Sequence, residues 1–278
     1  MRNLYDDINL KKIIPIIYSP DVFRSKIEGN IDIFIAKNTK LIPIHRRWVS
    51  HTNKSIEKFY SNNVGKTVPN WHLVSHLFMS GPVLVTLWYG DNVFEQFQKI
   101  KGSSHPANAN KKTIRSSFWC DNPICNLIHS SDDANETFRE LEILGLTTVV
   151  KNNEITISAK PLFCIENNPT TTIEHSAIIT FHKIIFRILN TIYNVKCNYH
   201  VLPLSGDSFD TFSELKKELH LLSDPHPSLK KCIQLYFNGD GDAIDRLFDI
   251  LPLTDWEKFI VECGVETMDM WKKSLSVT

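Results

Sequence analysis

The residue types best suited to chemistry gather around His129. An imidazole can act as a nucleophile near neutral pH without a separate base, and used this way it splits phosphoryl transfer into two in-line steps. Such a histidine needs a group that fixes its ring and a cation that meets the transferred charge. Asn126 stands three residues before it and Ser131 two after it, while Glu140 falls on the helix expected next. A carboxylate there can hold the ring through its other nitrogen. Arg115, in Thr113-Ile114-Arg115, can supply the cation. A lone histidine after an apolar strand is more often structural than catalytic, so the elements around it decide the reading.

Those elements alternate. The apolar run Ile13 to Tyr18, ended by Ser19-Pro20-Asp21, predicts a buried strand feeding a turn and a helix from about Val22. Leu41 to Val49 predicts a second strand, with Pro43 placing it at an edge or marking a strand start, and Thr52 to Tyr60 a short polar helix. Gly81-Pro82 introduces a third strand, Val83 to Trp88, and an amphipathic helix runs through Lys101. Asn126 to His129 predicts a final short strand. Ser131-Asp132-Asp133 then caps a helix through Glu140 to about Leu144, and Gly145 stops it.

Beyond about residue 150 the texture changes, and a boundary is placed there, giving domains 1–150 and 151–278. A turn at Lys151-Asn152-Asn153, a strand near Ile155 to Ile157 and a loop from Glu166 to Thr172 precede a mainly helical half. Its helices are expected at Ile173 to Tyr193, Phe212 to Leu222, Ser228 to Phe237, Ala243 to Leu251 and Asp255 to Cys263. Asn238-Gly239-Asp240-Gly241-Asp242 lacks the turn glycine and distal glutamate of a calcium loop and reads as a turn with a helix cap. Glu174, His175 and His182 are expected to share the long helix as a polar stripe facing solvent or the other domain, and zinc would need further ligands. Asp224-Pro225-His226-Pro227 reads as a rigid turn.

With 278 residues, 42% of them hydrophobic, the chain can bury a core in each half. Lysine plus arginine equals aspartate plus glutamate at 31 each, so net charge proposes no nucleic acid and no membrane surface as partner. The six cysteines form no Cys-x-x-Cys pair and read as reduced thiols, and the first residues carry acid where a signal peptide needs an apolar run. A cytoplasmic protein is expected.

Four segments together resemble the nucleoside diphosphate kinase family: Ser80-Gly81-Pro82-Val83, Trp88-Tyr89-Gly90-Asp91-Asn92-Val93, Thr113-Ile114-Arg115, and Asn126-Leu127-Ile128-His129-Ser130-Ser131-Asp132. Ile16-Ile17-Tyr18-Ser19-Pro20-Asp21 sits where the family has its first strand and a Lys-Pro-Asp turn, so the resemblance covers about residues 11 to 145. It implies an α+β fold, a ferredoxin-like antiparallel sandwich, here followed by a mainly helical domain. It further implies that His129 becomes phosphohistidine, that Ser131 and Glu140 position its ring, and that Arg115 binds phosphate. Asn126 would meet the sugar and phosphate end of the nucleotide. Tyr60 matches a tyrosine near the phosphates, Ser104 stands for a threonine, and Trp71 is either a base platform or core.

Ser19 occupies the place of a phosphate-binding lysine, Gln98 that of an arginine, and Ser130 that of a small glycine or alanine. Lys99, Lys101 and Arg24 are nearby cations. The function implied is a phosphotransferase moving the γ-phosphate of a nucleoside triphosphate to an acceptor, with Mg²⁺ carried by the nucleotide and a homo-oligomeric assembly. The alternatives are a nucleotide-binding or interaction module weakened in catalysis, and a related enzyme acting on a specialised nucleotide, including by hydrolysis.

Overall fold

The computed structural model describes residues 10–61, 70–151, 171–196 and 208–275. The chain divides into two compact units: Met1–Lys101 with Leu127–Thr172, the sheet unit, and Gly102–Asn126 with Ile173–Thr278, the helical unit.

In the sheet unit, β1 (Ile13–Tyr18), β2 (Ile42–Val49), β3 (Val83–Tyr89) and β4 (Ile128–Ser130) form one sheet in the order β2-β3-β1-β4. Every neighbouring pair is antiparallel. With helices between the strands this is the ferredoxin-like arrangement. All six residues of β1 are buried, as are the first six of β3, which is why both read as unbroken apolar runs. Pro43 lies on an edge strand, as expected, and β2 shifts register between Pro43 and His45.

Strand alternation sends Val83, Val85, Leu87 and Ile17 to one face, where Phe59, Phe78, Leu141 and Leu144 complete the core. Phe59 comes from helix Asn53–Phe59, Phe78 from helix Trp71–Met79 and Leu141 from helix Ala134–Ile143. Tyr18, one residue on from Ile17, points the other way. Its hydroxyl donates to Asp32 Oδ1 at 2.6 Å, and Arg46 pairs with Asp32 while its Nε donates to Thr86 Oγ1 at 2.9 Å. The buried Asp32 charge is thus matched and its lone pairs used.

The helical unit contains helices Ile114–Ser117, Ala177–Thr191, Ser208–Ser223, Pro227–Phe237, Asp242–Ile250, Asp255–Glu266 and Met268–Leu275. Phe181 stacks on Tyr236 at 3.8 Å and Phe212 on Trp271 at 4.1 Å, and Ala107 packs against this core.

Several expectations change. The chain crosses between units after Lys101, Asn126 and Thr172 instead of once near residue 150, because residues 102–126 pack with the later helices. The long helix starts at Ala177, so Glu174 and His175 precede it. His175 and His182 are 1% and 2% exposed and therefore form no solvent-facing stripe. Asn126 precedes β4 instead of opening it. Helices Trp71–Met79, Thr147–Lys151 and Met268–Leu275 are additions to the sequence reading. The strand expected near Ile155 and the loop from Glu166 up to residue 170 lie outside the described residues.

At Asn238 to Asp242 the chain makes the expected turn: Gly239 has φ +65°, and Asp240 Oδ1 accepts from Asp242 N at 3.0 Å. Among the described residues Cys120, Cys125, Cys232 and Cys263 are buried. No described helix is long and apolar enough to cross a membrane.

Candidate active site

His129 is the middle residue of β4 and pairs with Ile17 of β1. Its approach is set two residues earlier. Leu127 has φ +73°, a left-handed conformation that a bulky residue adopts only when its surroundings enforce it. The enforcement comes from the turn after β1. Ser19 donates to Leu127 O from its N at 3.1 Å and from its Oγ at 2.9 Å, and Asp21 Oδ2 accepts from Leu127 N at 3.2 Å. Burial raises the Asp21 carboxyl from its usual range to about 6.

The ring of His129 is held by helix Ala134–Ile143. Its Nε2 lies 2.7 Å from Glu140 Oε1, and Ser131 Oγ donates to Glu140 Oε2 at 2.6 Å. With the carboxylate accepting from Nε2–H, the lone pair of the imidazole resides on Nδ1. Glu140 is wholly buried, whereas the His129 side chain is 18% exposed, so the imidazole can be reached from solvent while the carboxylate that holds it cannot. The helix itself is capped by Asp133, whose carboxylate accepts from Asn135 N and Glu136 N at 2.8 Å each. Arg139 brackets the same helix, donating from Nη1 to the carbonyls of Lys58 and Phe59 at 2.9 Å and bringing Nη2 to 3.9 Å from Glu140.

Those carbonyls end helix Asn53–Phe59, which presents Phe59 edge-on to His129 at 4.8 Å and is followed by Tyr60 at 6.2 Å. Thr52 and Ser55 form a reciprocal capping box at its start. Trp71, half-buried, meets Tyr60 edge-on at 5.8 Å and packs against the core of the sheet unit. Behind Phe59 lies His51, 8% exposed, edge-on to Phe59 and Phe78, with Nδ1 at 3.2 Å from Ser55 Oγ and no partner for Nε2 among the described residues. Burial, with His129 nearby, lowers its pKa to about 4, so it stays neutral.

The sheet unit therefore brings together His129, Glu140, Ser131 and Tyr60, with Trp71 behind Tyr60. Arg115, Asn126 and Ser104 belong to the helical unit. Arg115 is 4% exposed and donates from Nε to Asn126 O at 3.2 Å and from Nη1 to Gly102 O at 2.9 Å. Asn126 Nδ2 donates to Pro123 O at 2.7 Å, and Ser104 is exposed. On helix Val93–Lys101, Gln98 donates to Asp132 Oδ1 at 2.5 Å and Lys99 pairs with Glu95 at 2.8 Å. Lys101 Nζ instead reaches Ser130 O at 3.3 Å. His51, Phe59, Leu127 and Arg139 were not singled out by the sequence, and only the Arg139-Glu140 adjacency gave any signal.

With this geometry in place, a family profile described as nucleoside diphosphate kinase matches residues 15–145. The nucleoside diphosphate kinase of Wolbachia sp. subsp. Brugia malayi (strain TRS) is 32% identical over 125 residues, 45% of this chain and 87% of that protein. The enzyme of the same name from Ehrlichia ruminantium (strain Welgevonden) is 31% identical over 45% of this chain and 85% of its own. An apo crystal structure of nucleoside diphosphate kinase from Encephalitozoon cuniculi aligns with a TM-score of 0.44 at 23% identity, over 48% of this chain and 87% of that one. The chain belongs to the nucleoside diphosphate kinase family. These matches leave more than half of it uncovered, and that remainder includes the C-terminal helices.

Proposed function

We propose that this protein moves the γ-phosphate of a nucleoside triphosphate to an acceptor nucleotide through a phosphohistidine at His129. The observation that carries the proposal is the 2.7 Å contact of His129 Nε2 with a fully buried Glu140, itself fixed by Ser131, which directs the lone pair to Nδ1. In the first half-reaction Nδ1 attacks the γ-phosphorus in line, the N–P bond forms and the bond to the β-phosphate oxygen breaks, releasing a nucleoside diphosphate. The acceptor's terminal phosphate oxygen then attacks the phosphohistidine and Nδ1 leaves. Glu140 supports the positive charge the ring carries while it is phosphorylated.

Arg115 is proposed for phosphate, Asn126 for the sugar and phosphate end, Tyr60 and Ser104 for the phosphates, and Trp71 for the base. Mg²⁺ would arrive on the nucleotide's phosphates. Among the described residues no three His, Cys, Asp or Glu side chains gather into a metal site.

A second reading has its own observation. Ser19 Oγ is committed to Leu127 O, and Gln98 to Asp132, so neither of these two places offers a phosphate a cation. This favours slow turnover, or a nucleotide-binding module, over a fast housekeeping enzyme. Incubating the protein with γ-labelled ATP or GTP and Mg²⁺ and then chasing with unlabelled diphosphates separates the readings. Label that survives alkali, is lost in His129→Ala and moves to the diphosphate is the expected result. Bound nucleotide with no transferable label favours the binding module and sinks the transferase.

A further inference from the structure

The segment 102–126 carries Arg115, Asn126 and Ser104, yet its fixed points lie in the C-terminal helices. Asp121 is 4% exposed. Its Oδ2 accepts from Ser176 Oγ at 2.7 Å and from Ile178 N at 2.8 Å, and its Oδ1 from Ala177 N at 3.0 Å and Asn122 Nδ2 at 2.9 Å. One carboxylate therefore closes the start of helix Ala177–Thr191, satisfying N–H groups that would otherwise be buried without partners. The carbonyl of the same residue accepts from Trp271 Nε1 at 2.7 Å, and Trp271 is itself buried on Phe212. His175 Nε2 lies within hydrogen-bond distance of Phe118 O. Asn122 Oδ1 accepts from Cys125 N at 2.7 Å, which tightens the turn before Asn126.

Within the segment, Arg115 ties Asn126 O to Gly102 O, so its guanidinium joins the two ends of the excursion. Gly102 permits that closure. It has φ +89°, and a Cβ there would sit 2.6 Å from Thr113 Oγ1 and 3.3 Å from Arg115 Cβ. A loop closed at its ends by Arg115 and anchored in its middle by Asp121 has little freedom of its own; what it packs on sets where Arg115 and Asn126 stand.

We propose that the C-terminal helices are the platform of segment 102–126, and that Asp121 is the positioning residue that fixes Arg115 and Asn126 for a nucleotide's phosphates. The nucleotide part rests on the function proposed above. On this view the C-terminal half is no accessory: the helices hold residues that the family motif contributes.

The test uses the full chain with Asp121→Asn and Trp271→Phe, the second removing one anchoring N–H while keeping a ring to stack on Phe212. Amide exchange is followed by mass spectrometry and ADP affinity by calorimetry. Exchange within 102–126 is expected to rise in both variants while β4 and helix Ala134–Ile143 keep wild-type protection. ADP is expected to bind about tenfold more weakly to Asp121→Asn and about threefold more weakly to Trp271→Phe. Unchanged exchange in 102–126 overturns the platform. Raised exchange with unchanged ADP affinity overturns the positioning role. A wild-type chain that binds no ADP removes the nucleotide function and the positioning role with it, while exchange still decides for or against the platform. If Asp121→Asn does not fold, Trp271→Phe carries both measurements.

Discussion

Glu140 in the sheet unit and Asp121 in the helical unit are both buried carboxylates, satisfied by different kinds of partner. Glu140 is bonded by two side chains, the ring of His129 and the hydroxyl of Ser131. Asp121 is bonded mostly at the start of a helix, by Ser176 Oγ and two main-chain N–H groups. Both arrangements meet the cost of burying charge. Only one leaves a consequence at the surface, because His129 is 18% exposed on its side chain and the partners of Asp121 are not. A buried carboxylate bonded to backbone makes architecture; bonded to a reachable imidazole, it makes a candidate for chemistry.

Removing Glu140 gives the largest expected effect. Glu140→Ala takes away both the orientation of the ring and the charge that supports its phosphorylated form, and should slow phosphoenzyme formation about a thousandfold. Glu140→Gln keeps one acceptor, its carbonyl oxygen, for Nε2–H, while its amide NH2 can only donate to Ser131 Oγ; it loses the charge and should fall between Glu140→Ala and wild type. Rapid-quench labelling with γ-labelled ATP measures both. If Glu140→Ala labels within threefold of wild type, the distinction between the two carboxylates fails.

Much of the sheet unit was legible because its signals are local. β1 was read at its observed bounds, since a strand covered on both faces is apolar throughout, and Asp133 and Gly145 mark the two ends of helix Ala134–Ile143 by their own chemistry. The spacing of His129, Ser131 and Glu140 puts the three side chains within one strand–helix unit, where Glu140 bonds both the ring and the hydroxyl, whereas Asn126 falls in the helical unit. Helix Trp71–Met79 was missed although Leu73, Val74, Leu77 and Phe78 share one face and His72, Ser75 and His76 the other, a helical period that the sequence reading passed over. The allegiance of segment 102–126 was not legible at all. Asp121 finds its partners at Ser176 to Ile178 and at Trp271, more than fifty residues away, and no local pattern announces a bond of that range.

Two buried histidines, one in each unit, extend the comparison to acid stability. Burial lowers His51 in the sheet unit and His175 in the helical unit to about 4, each from an ordinary 6.5. A histidine whose pKa is lower folded than unfolded favours the neutral form. The stability it preserves is therefore complete above pH 6.5 and is lost as pH falls from 6.5 through about 4, up to about 3 kcal/mol for each ring. They differ in partners: His51 Nε2 has none among the described residues, while His175 Nε2 is bonded to Phe118 O. His51→Phe, between Phe59 and Phe78, should cost little at pH 7 and make the protein more acid-stable than wild type below pH 6. His175→Phe strands a carbonyl and should destabilise at every pH. Urea melts from pH 4 to 8 test the pair, and a His51→Phe curve parallel to wild type would dismiss the assignment.

The smallest effect compares the same device in both units. Thr52 caps helix Asn53–Phe59 through Ser55, and Thr254 caps helix Asp255–Glu266 through Glu257. The threonine oxygen accepts an N–H at 3.2 Å in each. Thr52→Ala and Thr254→Ala should each cost about 1 kcal/mol, read as similar shifts in the denaturation midpoint. Their effects on His129 should differ. The Thr52 helix ends in Phe59 and Tyr60, whose rings stand 4.8 and 6.2 Å from His129, whereas nothing described places the Thr254 helix on that ring. Loosening the first cap should therefore slow phosphoenzyme formation by a few-fold at equal stability loss, and loosening the second should leave it unchanged. Equal slowing in both variants would mean that the rate follows global stability, and that helix Asn53–Phe59 has no special hold on the histidine.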